Sequence, residues 1–569
     1  MKKIKQFINV DLINDFINAS EDELKIDRKI ASSFMKKIYS EATKGNSILI
    51  IGDFDVDGLF ATIQLQQYIK LLEARIRDVP IDSSLVETYY TKRQHGYEMP
   101  EAIFNELSLK HDFIVFLDTG ASYKYFNKET KNVLVIDHHP NTRDNLDFIY
   151  NPNKEGGVST STGKIVYDII ESFENEMRDY YGKSRIKQHD IMNINKMLAG
   201  VTLCSDMAEM SFENKTFLKE SLDLMSSNKK NIAWLNSIDS RDISSLDLSF
   251  NIINKINSYS RLGKDFKDIE DIFKVGLDMY KTKHLVSSKK TYQLFNQLND
   301  NHNLRKKITA KLDATINSSL KENRVSEKNV LAVKIENEYS GINGLLSQNI
   351  LNSTSKSNVV ISFDKNRGCY VGSGRGKLIK KAILQIMEEN KLLGDNIKMG
   401  GHEMACGLSI ASGYEDDFIE KIQSINISNN NSKEQEKFYY ARGVREYKES
   451  VDYYNNLSPT TNMQERYYAI IDNYKNLGII EKNNAWYCST IKDKSDCITL
   501  YFKEEDIETI KSNSPIMLEI TNQVNQNYFI EHKEVENKLF KYLNEIKDEE
   551  ETTVELPEES VSIGSLLAV

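Results

Sequence analysis

Residues 48–63 constrain the fold of this chain more than any other stretch. Ile48–Ile51 is a short apolar run, largely β-branched, which predicts a strand buried on both faces of a parallel sheet. Gly52 ends the run, and aspartates occupy alternate positions after it: Asp53, Asp55 and Asp57. Gly58 permits a tight turn into residues 59–73, which have the length and apolar spacing of a helix. A helix cap needs one aspartate, whereas three carboxylates so close together predict a divalent metal ion with oxygen ligands.

Later apolar segments are also followed by acidic or histidine residues. They are Phe113–Leu117 before Asp118, Val133–Ile136 before Asp137, His138 and His139, and Leu198–Leu203 before Asp206. Interpreted as strands that alternate with helices, these segments predict a doubly wound, mainly parallel α/β sheet. The carboxyl edge of such a sheet brings the residues after its strands together. The predicted metal ligands at that edge are Asp55, Asp57, Asp118, His138 and Asp206.

The side chains of this set indicate which metal they suit. Carboxylates with one or two imidazoles favour Mn²⁺ or Mg²⁺ over zinc, which prefers thiolates and imidazoles. A carboxylate shared by two ions about 3.5–4 Å apart would make a two-metal hydrolytic site. The plainer interpretation, that each acidic residue caps a helix, is common for any one of them. It explains the Asp-His-His-Pro segment at 137–140 much less well.

Composition restricts where such a site can operate. The 569 residues predict two to four domains, and no apolar run approaches the roughly 20 residues that span a bilayer. Residues 1–10 are basic and then partly apolar, but Asp11 interrupts them before a signal-peptide core forms. The five cysteines lack paired spacing, which predicts a reducing compartment and a cytoplasmic location. The net charge of −10 means that nucleic acid would have to bind local basic patches or metal.

Three segments beyond the acidic motifs offer candidate phosphate-binding groups. Residues 372–377 are glycine-rich and are predicted to open a helix, where backbone N–H groups favour anions. Residues 400–402 are predicted to be a flexible Gly-Gly-His loop, and residues 257–261 to present one helix face. Each has a plainer interpretation, either a glycine turn beside a solvated basic face or an ordinary surface helix. The candidates are Asn257, Arg261, Ser373, Arg375, Gly400, Gly401 and His402.

Taken together, these segments resemble the DHH phosphoesterase superfamily, and within it the RecJ single-strand-specific exonucleases, over about residues 25–412. The matching motifs are Gly52–Gly58, Leu117–Gly120, the naming motif Asp137–His139, Cys204–Ala208 and the Gly400–His402 loop. Arg93–Tyr97 looks like the RecJ arginine-glycine-tyrosine loop, and Asn257–Gly263 is similar to its asparagine-to-arginine segment. This chain departs from the family at residues 258–260, where Ser-Tyr-Ser replaces small residues and a glycine, and at 373–376, where Ser-Gly-Arg-Gly replaces serine-alanine-arginine-serine.

The resemblance implies a multidomain fold. A doubly wound, mainly parallel DHH catalytic domain (1–225) would be joined by a helical connector (226–325) to a smaller α/β DHH-associated, substrate-binding domain (326–423). A polar, Asn-rich linker (424–437) would lead to a C-terminal accessory unit with β content (438–545) and an acidic tail (546–569). For the accessory unit, a small OB-like barrel and a winged-helix module are both open predictions.

The resemblance also implies residue roles around two Mn²⁺ ions, with Mg²⁺ as the alternative metal. Asp55 and Asp118 would hold one ion, and the other would be held by Asp57, Asp118, His138 and Asp206. Asp53 would assist the first site, Asp137 would orient a ligand and His139 would contact the scissile phosphate. The residues that would bind the strand are Arg93, Asn257, Arg261, Ser373, Arg375, Gly400, Gly401 and His402.

The implied activity is a metal-dependent exonuclease that degrades single-stranded DNA from its 5′ end to 5′-mononucleotides, in DNA repair or recombination. One alternative is a hydrolase of short oligonucleotides or cyclic dinucleotides. Another is a catalytically inactive protein that only binds single strands. The expected partners are single-stranded DNA and, through the C-terminal unit, a single-strand-binding protein or a helicase; no membrane partner is expected.

Overall fold

The computed structural model describes two compact units, one within residues 18–432 and one within 433–569. In the larger unit the described residues are 28–78, 80, 83–96, 98–139, 146–152, 160–181, 188–206, 208, 211–274, 289–322, 329–336, 338–402 and 404–425. In the smaller unit they are 437–441, 467–471, 478–483, 486–493, 496–502, 507, 516–519 and 527–528. Several predictions concern residues outside these ranges, namely Tyr97, most of the 424–437 linker and the acidic tail.

A parallel five-stranded sheet lies at the centre of the first part of the larger unit. Its order is β2-β1-β3-β4-β5, with β1 Ile48–Gly52, β2 Val86–Tyr90, β3 Phe113–Leu117, β4 Val133–Ile136 and β5 Ile149–Tyr150. All residues of β1, β3 and β4 are buried, as their apolar runs predict. The chain passes from β1 to β2 on one side and to β3 on the other. The carboxyl ends of β1 and β3 therefore form a topological switch point, where ligands bind in open α/β sheets.

Helices cover both faces of this sheet. They are α1 Arg28–Lys44, α2 Val56–Ile76, α3 Glu101–Ser108, α4 Thr162–Tyr181 and α5 Gln188–Ser205. Ile48 and Ile50 pack in one core with residues of α1, α2 and α4. Leu49 and Ile51 face the other way, into a core with Phe104 of α3. Alternate residues of β1 thus pack into apolar cores on opposite faces of the sheet. The prediction of a doubly wound α/β sheet is confirmed.

The prediction of a strand at Leu198–Leu203 is wrong. These residues lie in α5, which packs against α2 and α4 and against a further helix, α6 (Phe212–Asn228). A short apolar run does not distinguish a buried strand from a buried helix, and here neighbouring helices enclose the run on several sides. Asp206 therefore follows a helix and not a strand.

Between the two sheets the described chain is mainly helical, as predicted for the connector at residues 226–325. After α6 come α7 (Ser245–Leu248), a π-helical segment (Ser249–Ile253), α8 (Asn254–Arg261) and the 34-residue α9 (Lys289–Glu322). A π-helical segment turns the residues that follow it relative to the helix before it. In this chain it directly precedes the helix that contains Asn257 and Arg261.

A second five-stranded sheet follows, in the order β6-β7-β8-β10-β9. The strands are β6 Leu331–Ile335, β7 Asn358–Asp364, β8 Cys369–Arg375, β9 Ile397–His402 and β10 Ala405–Ala411. Its helices are α10 Asn343–Thr354, α11 Ile379–Glu389, α12 Lys391–Asp395 and α13 Glu415–Ser424. Within this sheet only the β6–β7 pair is parallel, and β7 and β8 form an antiparallel hairpin.

Two loop predictions in this sheet are wrong. Residues 372–375 continue β8, and the next helix begins only at Ile379. A Cβ atom at Gly372 would lie 2.7 Å from Ile361 Cγ2, so this glycine is needed for packing within the sheet. The Gly-Gly-His segment lies in β9, where Gly401 pairs with Cys406 of β10.

The smaller unit contains two sheets within its described residues. One joins β11 (Lys437–Ala441), β12 (Tyr467–Ile471) and β16 (Ile516–Glu519). The other joins β13 (Glu481–Asn483), β14 (Trp486–Asp493), β15 (Asp496–Phe502) and β17 (Asn527–Tyr528). The predicted β content is therefore confirmed. None of the helices in the described part of the chain combines the length and apolar character needed to cross a membrane.

Candidate active site

The first loop of the site is a tight connection between β1 and α2. The Asp53 N–H donates to the Leu117 carbonyl of β3 (3.2 Å), and the Asp55 side chain caps α2 by accepting from the Gly58 N–H (3.1 Å). A Cβ atom at Gly58 would lie 2.4 Å from the Asp53 backbone nitrogen. Only glycine permits this close approach, which brings the aspartates of the loop to the carboxyl end of the sheet.

Asp118 occupies the centre of the acidic cluster. It follows β3 with a φ of +64°, a left-handed conformation that is uncommon outside glycine and often marks functional sites. Its side chain is buried, and Oδ1 accepts a hydrogen bond from Thr162 Oγ1 (3.0 Å). Its Oδ2 is buried without a hydrogen-bond partner among the described residues. Such an orphaned oxygen is costly unless a cation or a proton satisfies it.

Three groups of potential metal ligands share Asp118, and within each group the ligand atoms lie within 4.8 Å of one another. The first group is Asp57, Asp118, His138 and Asp206; the second is Asp53, Asp55 and Asp118; the third is Asp118, His138 and His139. All eight acidic and histidine residues predicted for the site therefore lie at one place, since Asp137 directly contacts His139.

His138 joins carboxylates from three segments. Its Nε2 lies 2.8 Å from Asp206 Oδ2, 3.3 Å from Asp118 Oδ1 and 3.9 Å from Asp57 Oδ2. Burial by itself would lower the pKa of His138, but these carboxylates, Asp206 foremost, raise it to about 10. Burial raises the pKa of Asp57 and Asp118 well above the ordinary value, and neighbouring carboxylates raise it further. Carboxylates thus outnumber the positive groups of the cluster, which is the environment that a divalent cation fits.

Two threonines hold these carboxylates, and neither was singled out as a site residue from the sequence. At the start of α4, the backbone N–H groups of Thr162 and Gly163 each donate to Asp57 at 2.7 Å. Thr91, just after β2, donates its hydroxyl to Asp53 Oδ1 (2.5 Å). A run of Ser and Thr before a helix predicts a local cap. Here the backbone N–H of Thr162 instead donates to Asp57, which lies 105 residues away in the sequence.

Asp137 is saturated with hydrogen bonds. Its Oδ1 accepts from the backbone N–H groups of His138 (2.8 Å) and His139 (3.1 Å) and lies 2.8 Å from His139 Nδ1. Oδ2 accepts from the Ala121 N–H (3.2 Å). Burial would raise the pKa of Asp137, but the bonds to His139 outweigh it and lower the value to about 2. Asp137 therefore holds the backbone of both histidines and the ring of His139, which stays half exposed.

Four arginines from different segments lie close to one another, and one of them, Arg261, is near Asp55 of the acidic cluster. They are Arg93 after β2, Arg261 at the end of α8, Arg305 in α9 and Arg375 at the end of β8. Burial and the other three guanidinium groups lower the pKa of Arg261 to about 9, while nearby Asp55 opposes this change. Arg261 stays protonated at neutral pH. Four like charges held together in this way fit a bound anion such as phosphate.

Backbone and hydroxyl contacts orient two of these arginines. Arg93 Nε donates to Ser260 Oγ (3.2 Å), and its guanidinium lies 4.6 Å from the centre of the Phe54 ring in the aspartate loop. Arg375 Nη1 donates to Ser373 Oγ (3.0 Å) and to the Gly374 carbonyl (2.9 Å). The sequence predicted three of the four arginines; Arg305 was missed, because a charged residue in a long polar helix carries no local signal.

The remaining predicted substrate residues are placed with less detail. Asn257 is half buried, one turn before Arg261 in α8. The Gly401 carbonyl accepts from Lys380 Nζ (2.8 Å), and Gly400 lies beside it in β9. The backbone of His402 pairs with Ala405, which pairs on its other side with Arg375, but the side chain of His402 lies outside the described part of the structure.

Known proteins resemble this chain in sequence and fold. Residues 47–205 match the family model described as DHH family, N-terminal domain. The single-stranded-DNA-specific exonuclease RecJ of Salmonella typhimurium is 23% identical over 410 residues, which cover 68% of this chain and 67% of the relative. RecJ of Bacillus subtilis is 21% identical over 503 residues, 83% of this chain and 58% of the relative. The chain thus spans about three fifths to two thirds of the length of these curated relatives.

Two solved structures share the fold. RecJ from Thermus thermophilus in complex with Mn²⁺ has a TM-score of 0.64 at 13% identity, covering 90% of this chain and 73% of that one. An exonuclease RecJ bound to manganese has a TM-score of 0.51 at 18% identity, covering 70% and 93%. Residues 47–205 therefore match the DHH family model, and the resemblance of the chain to the DHH superfamily and its RecJ-like members is confirmed.

Proposed function

We propose that this chain is a RecJ-like two-metal phosphodiesterase that degrades single-stranded DNA from 5′ to 3′, releasing 5′-mononucleotides in DNA repair or recombination. The observation that supports this most is the juxtaposition of two clusters. Among the described residues, Asp118 belongs to every group of potential metal ligands, and Arg261, which interacts with Arg93, Arg305 and Arg375, lies near Asp55 of the same site. Cation ligands beside phosphate-binding groups are what phosphodiester hydrolysis needs. The curated relatives named single-stranded-DNA-specific exonucleases support the proposed substrate.

Two Mn²⁺ ions are the proposed cofactors, with Mg²⁺ as the alternative. RecJ of T. thermophilus has been solved with Mn²⁺ and with Mg²⁺. The donors here are carboxylate oxygens and imidazole nitrogens, which suit these metals, and the orphaned Oδ2 of Asp118 is available to a cation. When bound, such ions activate a water molecule and neutralise charge on the phosphoryl group.

The proposed roles of the side chains follow the two ligand groups. Asp55 and Asp118 would hold one ion, and the second would be held by Asp57, Asp118, His138 and Asp206. Asp53, fixed by Thr91, would assist the first group, and Asp137 would keep the histidines in position. The half-exposed His139 ring would contact the scissile phosphate. The proposed strand-binding residues are Arg93, Asn257, Arg261, Ser373, Arg375, Gly400, Gly401 and His402.

The function is tested by comparing a long single strand, a duplex and a dinucleotide under the same conditions. With Mn²⁺, we expect a 5′-phosphorylated 30-nucleotide strand to be shortened from its 5′ end at least about tenfold faster than the duplex. Strands labelled at the 5′ or the 3′ end report the direction, and chelator should stop product release. Preferred cleavage of dinucleotides would favour the short-substrate hydrolase, and tight binding without cleavage would favour the inactive binding protein.

We also propose that the chain is divided into a catalytic domain (1–225), a connector (226–325), a substrate-binding domain (326–423), a linker (424–437), an accessory unit (438–545) and an acidic tail (546–569). The accessory unit would extend the grip on long strands or bind a single-strand-binding protein or helicase, in the cytoplasm. It would contribute nothing to the chemistry, because the described metal-ligand groups all lie between residues 53 and 206.

A chain that ends at Asn426 tests this division. We expect it to cleave dinucleotides at a rate within about twofold of the full chain, since all proposed metal ligands remain. Binding of a 30-nucleotide strand should weaken about tenfold, which corresponds to about 1.4 kcal/mol. Circular dichroism and thermal melting check that the shortened chain folds. Equal loss of activity on both substrates in a folded chain would contradict the proposal.

A further inference from the structure

The fourth arginine of the cluster, Arg305, belongs to α9, which lies outside the motifs that resemble known families. Arg305 is half buried and lowers the pKa of Arg261, together with Arg93 and Arg375. Among the described residues, no carboxylate forms an ion pair with Arg305 or Arg261. Two guanidinium groups without an ion-pair partner in a buried or half-buried position are unfavourable by themselves, so a bound anion would stabilise them.

Ser258 fixes the direction of Arg305. Its hydroxyl accepts from Arg305 Nε (3.1 Å), donates to the Asn254 carbonyl (2.5 Å) and lies 3.0 Å from His302 Nδ1. Ser258 is fully buried, and the bond to Nε leaves the terminal nitrogens of the guanidinium available. Burial, and then Arg305 and Lys306, lower the pKa of His302, so at neutral pH this ring adds no further positive charge.

A second serine of α8, Ser260, orients Arg93 from another side of the helix. Ser260 accepts from Arg93 Nε, two residues after Ser258. At about 100° per residue, these two serines point about 200° apart around the axis of α8. Arg93 and Arg305 therefore approach α8 from different sides and flank Arg261. Arg93 packs on Phe54 of the aspartate loop, so Arg305 is on the side of α8 that faces away from that loop.

We propose that Arg305 binds a phosphodiester group of the single strand, one farther from the acidic cluster than the phosphate near Arg93, and that Ser258 is its positioning residue. This inference rests on the proposed function. It gives a reason for the Ser-Tyr-Ser sequence at 258–260, where both serines hold arginines that come from other segments. The connector helix thereby becomes part of the binding site.

Binding of a 5′-phosphorylated, fluorescein-labelled 12-nucleotide oligothymidylate, in chelator and over a series of salt concentrations, tests the proposal. We expect Arg305→Ala to weaken binding about tenfold and to reduce the slope of log K against log salt by about 0.7, the value for one phosphate contact. Lys311→Ala, which removes an exposed charge from the same helix, should change the affinity less than about twofold. Melting temperatures of all variants check folding.

Two further measurements separate phosphate binding from a structural role. Ser258→Ala keeps every charge but frees Arg305, so it should lose part of the affinity and add nothing to Arg305→Ala in the double variant. Strands with one neutral methylphosphonate linkage at successive positions should reveal a single position that weakens wild type but not Arg305→Ala. The same strand is also incubated with Mn²⁺ and the wild-type protein.

The outcomes are distinct. A wild-type protein that cleaves the strand, with Arg305→Ala no different from Lys311→Ala in affinity and salt slope, overturns this inference alone. A lower melting temperature with an unchanged salt slope overturns it as well, because Arg305 then only joins α9 to α8. A wild-type protein that neither binds nor cleaves the strand overturns the proposed function, and this inference with it.

Discussion

Asp118→Asn is expected to lower the rate of hydrolysis by more than about 1,000-fold, which corresponds to about 4 kcal/mol of activation free energy. The reason is that Asp118 belongs to all three groups of potential metal ligands, so its replacement weakens every proposed ion site. Asparagine retains an acceptor for Thr162 Oγ1 and tolerates the φ of +64°, whereas alanine at this φ would add about 1–2 kcal/mol of strain. Activity is measured as Mn²⁺-dependent release of mononucleotides.

The same variant should be at least as stable as wild type in chelator. Burial, and then Asp57 and Asp55, raise the pKa of Asp118 in the folded state, so folding takes up a proton. Stability from this group therefore falls as pH rises above the unfolded-state pKa of about 3.9. Asparagine removes that loss, and the difference between the two proteins should grow between pH 4 and pH 7. Thermal melting in chelator at several pH values measures it.

Asp179→Asn is the matched control, since it removes an exposed carboxylate of α4. It should leave both the rate and its metal dependence unchanged. Hydrolysis by Asp118→Asn within tenfold of wild type would reject Asp118 as the shared ligand. A folded, inactive variant that is less stable than wild type in chelator would instead contradict the electrostatic account of the cluster.

Arg375→Lys is expected to slow single-turnover cleavage about 100-fold at saturating strand concentration. Two bonds from Nη1, to Ser373 Oγ and the Gly374 carbonyl, hold the guanidinium in one orientation. A guanidinium held in this way can present its planar fork to one phosphate, whereas lysine acts as a point charge without a fixed direction. Misplacement of the reacting phosphorus by about 1 Å is enough for such a loss.

The control is Arg178→Lys, at an exposed position of α4, which should leave the rate unchanged. Strands labelled at the 5′ or 3′ end report the rate and the direction together. An unchanged single-turnover rate for Arg375→Lys would reject the two-bond contact and leave Arg375 as part of a solvated basic surface. Mononucleotides that appear first from the 3′ end would reject the proposed direction of degradation.

The central strands and the residues that follow them were predictable from the sequence. The bounds predicted for β3 and β4 are those in the structure, and β1 differs by one residue. Strands buried on both faces need continuous apolar runs, and a polar residue must follow where the run reaches the edge of the sheet. This local rule was sufficient to bring seven of the eight predicted acidic and histidine residues to one edge. The same rule predicted the position of Asp206 correctly but assigned the wrong element, since Asp206 follows a helix and not a strand.

Tertiary packing decided the rest. Whether residues 198–203 formed a strand or a helix depended on the helices around them. Gly372 and Gly374 permit close packing within the sheet and do not begin a helix. Thr91, Thr162, Ser258 and Arg305 owe their contacts to residues 38 to 105 positions away in the sequence. Apolar periodicity is local, so a sequence expresses it directly. A hydrogen bond between distant segments exists only after their helices and strands have packed, and the orientation of Arg93 and Arg305 depends on such bonds.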